Sequence, residues 1–101
     1  MTTYLHIGGL IAAGFDQAGK FLLTVSHSGR GVFVVGTWER VARDTERAYP
    51  EHGHAMGIGP IAGISIPVTE MDYETEILRF DSPDGRYRFN YDSGTMYVEG
   101  A

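Results

Sequence analysis

The sequence predicts an all-β fold, and three observations carry that reading. Fourteen glycines punctuate the 101 residues into short stretches. Those stretches are rich in β-branched and aromatic residues, which suit a pleated, half-buried surface. Between them stand turn sequences, Asp16-Gln17-Ala18-Gly19, Ser82-Pro83-Asp84-Gly85 and Asp92-Ser93-Gly94, whose Gly, Asp and Pro supply the backbone angles of tight hairpins. The expected architecture is two antiparallel meanders, about residues 7–42 and 61–99, joined by an irregular segment 43–60. They would pack as a small sandwich or partial barrel, with at most one short helix.

The elements follow in order. A first strand is expected over Leu10–Phe15, a second over Lys20–Ser26 and a third over Val32–Val35, with Trp38–Ala42 after Gly36-Thr37. Phe21 to Val25 and Val32 to Val35 are apolar at consecutive positions, so both faces of those strands should be covered. Trp38 begins a strand whose neighbours Glu39 and Arg40 place it at an edge. Residues 43–49 can form one or two helical turns, which Pro50 stops. Glu51 to Pro60 reads as the longest loop, and long loops in compact domains are often functional. Strand character returns over Ile61–Val68, where Pro67 marks an edge or a strand end, and again over Tyr73–Phe80. Arg86–Tyr91 alternates, with Tyr87, Phe89 and Tyr91 on one face. Thr95–Glu99 closes the chain.

Two segments echo each other: Phe15-Asp16-Gln17-Ala18-Gly19-Lys20-Phe21, and Phe80 to Tyr87 with one residue inserted. Each runs on through a strand to Ser28-Gly29 or Ser93-Gly94 and into another strand. The pattern resembles the middle of a β-propeller blade of the WD40 kind. In the first copy Trp38-Glu39 stands where that family carries Trp-Asp at a different place. The resemblance implies an interaction scaffold and transfers no catalytic residue.

The chain is one domain in size, with 43% hydrophobic and 21% charged residues, ordinary for a globular protein. It lacks cysteine, which removes disulfides, thiolate metal sites and a cysteine nucleophile. The start of the chain lacks a basic n-region, and Leu5 to Phe15 is too short for a membrane span. A soluble, cytoplasmic protein is expected, with no membrane partner. The net charge of -5 disfavours nucleic acid, whose phosphates demand lysine and arginine. Only Arg40, Arg43 and Arg47 are bunched, and acidic residues interrupt them.

Chemistry-bearing residues are few. Glu51-His52-Gly53-His54 is the most metal-like cluster, but neighbours on a loop are not a preorganised site, so no metal and no cofactor are assigned. Ser26-His27-Ser28 sets a base between two hydroxyls, which reads as a turn whose hydroxyls cap the backbone. Glu70, Asp72, Glu74 and Glu76 alternate strictly, so a strand would gather all four carboxylates on one face. Partner-binding candidates are Trp38, Tyr49, His52, His54, Glu70, Asp72 and Glu74. The leading expectation is a non-catalytic protein-binding domain, one form of which is a small acidic inhibitor or immunity-type protein facing a basic partner. The alternatives are a small metal-dependent hydrolase using His27, His52 and His54, and a homo-oligomeric module pairing through edges at Ile64–Val68 and Thr95–Glu99.

Overall fold

The computed structural model describes residues 1–46 and 53–100. Among these the strands are β1 (Thr2–Leu5), β2 (Leu10–Phe15), β3 (Phe21–Ser26), β4 (Gly29–Val34), β5 (Arg40–Asp44), β6 (His54–Met56), β7 (Ser65–Pro67), β8 (Thr69–Glu70), β9 (Ile77–Asp81), β10 (Tyr87–Asp92) and β11 (Thr95–Gly100). A single 3-10 turn, Gly59–Ile61, is the only helical element among the described residues. No helix there is long and apolar enough to cross a membrane. The fold is all-β, as expected.

Every pairing is antiparallel. One sheet has the order β1-β11-β10-β9, a second β5-β4-β3-β2-β8, and β6 and β7 form a separate pair. The sheets are open layers, and none closes into a barrel. The second sheet lies in the middle. Leu10, Phe15, Leu22 and Phe33 on one of its faces cluster with Leu78, Phe89, Tyr91, Met96 and Val98 of the first sheet. Ile11, Leu23, Val25 and Val32 on its other face cluster with Ile61, Ile66 and Val68 of the β6–β7 lobe. This is why β3 is apolar at consecutive positions: Leu22 and Leu23 point to different cores, and water reaches neither.

The two echoing segments form matching hairpin turns. Gly19 N–H donates to the Asp16 carbonyl at 3.0 Å, and Gly85 N–H to the Ser82 carbonyl at 2.9 Å. Each turn is braced by its first side chain. Asp16 Oδ1 accepts from the N–H groups of Lys20 and Phe21, and Ser82 Oγ from that of Tyr87. The residue inserted in the second copy is Asp81, which ends β9. Between the meanders, Phe80 stacks on Phe89 with centroids 5.0 Å apart and meets Phe15 edge-on at 5.5 Å.

Several expectations are corrected. Trp38 does not begin a strand: it sits at φ 58 in the turn before β5. Arg43 and Asp44 belong to β5 rather than to a helix, because their N–H and C=O groups find a partner strand in β4. Ile61–Val68 is no continuous strand. It starts in the 3-10 turn and reaches β7 only at Ser65. Tyr73 to Glu76 is a turn, and β9 begins at Ile77. Thr95–Glu99 is not an edge, since β1 covers β11 on the side away from β10.

Candidate functional site

The expected binding residues are not brought together. Tyr49 and His52 lie outside the described residues. Trp38 is half-buried, its indole edge-on to Tyr87 with centroids 5.3 Å apart, so it packs in the fold rather than standing out as an anchor. His54 is exposed on β6, its Nδ1 3.3 Å from Ser65 Oγ. Among the described residues no three His, Asp or Glu side chains gather as metal ligands would. Ser26, His27 and Ser28 form the β3–β4 turn. There the Ser26 hydroxyl donates to the Gly29 carbonyl at 2.9 Å and accepts the Ser28 N–H at 3.3 Å.

Glu70, Asp72, Glu74 and Glu76 are all exposed, but not as a strand face. Glu70 ends β8. Asp72 then bridges to Ile77, and the chain reverses between them. The Asp72 carbonyl accepts the Glu76 N–H at 2.8 Å, and Asp72 Oδ1 accepts the Glu74 N–H at 2.9 Å. Glu76 takes φ 56 to complete the reversal. The carboxylates therefore sit on and beside an exposed turn, with Tyr73 in it 56% exposed and Ile77 just after it 37% exposed. Alternation alone suggested a strand; the side-chain-to-backbone bond of Asp72 decided for a turn.

A second site escaped the sequence reading. The inner face of the central sheet changes character along β3, β4 and β5. Leu22, Phe33 and Arg40 make one cross-strand row, and Thr24, Gly31 and Arg43 the next. Cross-strand partners share a face, so the second row opens a polar recess beside the core. The recess holds about 80 Å³ and is also lined by Ser26, Ser28 and His6. Arg40 lies over the Phe33 ring, 5.1 Å from its centroid. Arg30, in register with Val25, turns its side chain to the opposite face, where its Nε and Nη2 hold the two carboxylate oxygens of Asp44 at 3.3 and 2.7 Å. The spacing Thr24-x-Ser26-x-Ser28 and the bunched Arg40 and Arg43 were the available signals. What could not be read was that β4 sets glycine between them.

No protein-family model matches the chain, and neither curated proteins nor solved structures yield a match.

Proposed function

We propose that this domain binds a protein partner with a basic surface and catalyses no reaction of its own. The acidic turn at residues 70–76 carries the reading. It gathers four exposed carboxylates close in sequence to the exposed Tyr73 and Ile77, on a chain of net charge -5. Tyrosine is a frequent interface anchor, and flanking charges of one sign steer the approach of an oppositely charged partner. An inhibitor of the immunity type is the specific role this chemistry suits, because fast electrostatic capture of a basic effector protects best.

The test compares wild type with a Glu70→Gln/Glu74→Gln/Glu76→Gln variant as immobilised bait in native lysate. Asp72 is kept, since its carboxylate braces the turn. A basic protein should be retained by wild type and lost from the variant. With that partner purified, its association rate should fall about tenfold or more when the three charges are removed at low salt, and far less at high salt. Equal retention by both baits, or retention by neither at low and physiological salt, refutes the reading.

A further inference from the structure

The polar recess on the central sheet has a glycine, Gly31, beneath two arginines. Gly31 sits inside β4, where glycine costs about 0.5–1 kcal/mol relative to alanine. Its backbone is not in the left-handed region that favours glycine. A Cβ there would meet nothing closer than Thr24 Oγ1 at 3.4 Å and Arg40 Nε at 3.6 Å, which is ordinary contact. A strand-interior glycine marks a bulge or a place where something else approaches closely; the β4–β5 register shifts just beyond Gly31, between Val32 and Phe33, and the polar side chains around Gly31 point to a ligand as well. What surrounds the gap is cationic. Arg40 and Arg43, two of the chain's eight lysines and arginines, share the face of Thr24 and Gly31 and line this recess. Arg30 and Asp44 neutralise each other, and Asp44 is the only carboxylate along the recess among the described residues. Arg40 and Arg43 make no ion pair with any described residue. The bond from the Thr24 hydroxyl to the Gly31 carbonyl is long, at 3.4 Å, so its proton can turn to another acceptor.

We infer that this recess is an oxyanion site that takes the phosphoryl group of a small phosphate monoester. Two guanidinium groups and the hydroxyls of Thr24 and Ser28 supply the donors a phosphate demands. The volume suits a tetrahedral oxyanion. The organic part has a path out, because a wider groove of about 470 Å³ shares His6, Ile7 and Gly8 with the recess and continues past Tyr4. The acidic balance of the chain does not forbid this. At physiological salt, exposed charges more than about 8 Å away are largely screened, and the unpaired charges nearest the recess among the described residues are arginines.

The experiment titrates the full chain with phenyl phosphate and, separately, with inorganic phosphate at constant ionic strength. Amide NMR shifts report where each binds. Both should move the amides of residues 24–31 and 40–43, phenyl phosphate also moving those of residues 6–8. Equal affinity for the two, with residues 6–8 unmoved, would overturn the monoester and leave free phosphate as the ligand. Arg43→Gln should weaken binding about tenfold or more, the loss expected for one charge-assisted hydrogen bond. Gly31→Ala fills the gap without strain and should abolish binding while leaving thermal stability unchanged or higher. Absence of shifts with either probe at tens of millimolar, or unchanged binding by Gly31→Ala, overturns the site.

Discussion

Arg30 and Asp44 form the best-made ion pair among the described residues. Two guanidinium nitrogens meet the two carboxylate oxygens, and a third donates to the Met56 carbonyl at 2.6 Å. One side chain thus ties β4 to β5 and to the β6–β7 lobe. The hydrogen bond from Arg30 holds the Asp44 carboxyl below its ordinary 3.8, against a smaller opposing effect of burial. A folded-state pKa below the unfolded one contributes stability that is complete above the unfolded value, about 3.9, and is lost as pH falls through the folded value. The side chains are 14% and 31% exposed, which sets the pair near the upper end of partly solvated pairs, about 1 kcal/mol. Asp44→Asn should therefore cost about that much at pH 7, and the difference from wild type should shrink as pH drops below 4. Urea unfolding at pH 7 and pH 3 measures both. Asp81, held by Arg88, and Asp84, held by the Arg86 N–H, have carboxyls lowered in the same direction, so acid weakens the wild type further.

At the scale of elements, the β6–β7 lobe depends on how closely it approaches β2. Gly14 makes that approach feasible. A Cβ on it would run into the Pro67 carbonyl and lie 2.9 Å from the Val68 Cα, both backbone atoms that cannot swing aside. Gly14→Ala should push the lobe off the sheet and uncover Ile66 and Val68. The expected cost is about 1–3 kcal/mol, the range for overpacking. Hydrogen exchange should accelerate at Val68, whose N–H donates to Gly53, before it does in β10. How far apart in the chain two paired strands lie decides what was legible in the sequence. The hairpins β2–β3–β4 and β9–β10–β11 are local, so alternation and turn residues announced them, and the doubled apolar run in β3 announced that both its faces are covered, though not that a separate β6–β7 pair covers one. β1, β6 and β8 are two to four residues long, too short for a local period to mark them, and β1 and β8 pair with distant segments. The acidic turn was visible as composition but not as shape. The recess was invisible, because its row of Thr24, Gly31 and Arg43 exists only once three strands are in register.

For the molecule as a whole, the pairing of β1 with β11 matters most, since it joins the first residues to the last. Thr2 stands opposite Glu99 and Leu5 opposite Met96. The Tyr4 and Tyr97 rings meet on the outer face with centroids 5.7 Å apart. β1 does two things for the fold. It inserts Leu5, 7% exposed, into the main core, and it caps β11, whose N–H and C=O groups would otherwise form a long unpaired edge. The other outer strands carry charged side chains on their edges, Arg79 and Asp81 on β9 and Arg40 and Arg43 on β5. β11 has only Glu99 for that purpose. Deleting residues 2–5 should cost at least the 2–5 kcal/mol of a large core truncation, and what still folds should pair through the bared β11. Sedimentation velocity over a concentration series tests this, and the deletion should associate more strongly than the intact chain at every concentration. A single substitution, Leu5→Ala, separates the two roles. It removes the core contact but leaves the strand in place, so it should lower stability without promoting association. Association by Leu5→Ala equal to that of the deletion would mean that lost core packing, not the uncovered edge, drives it.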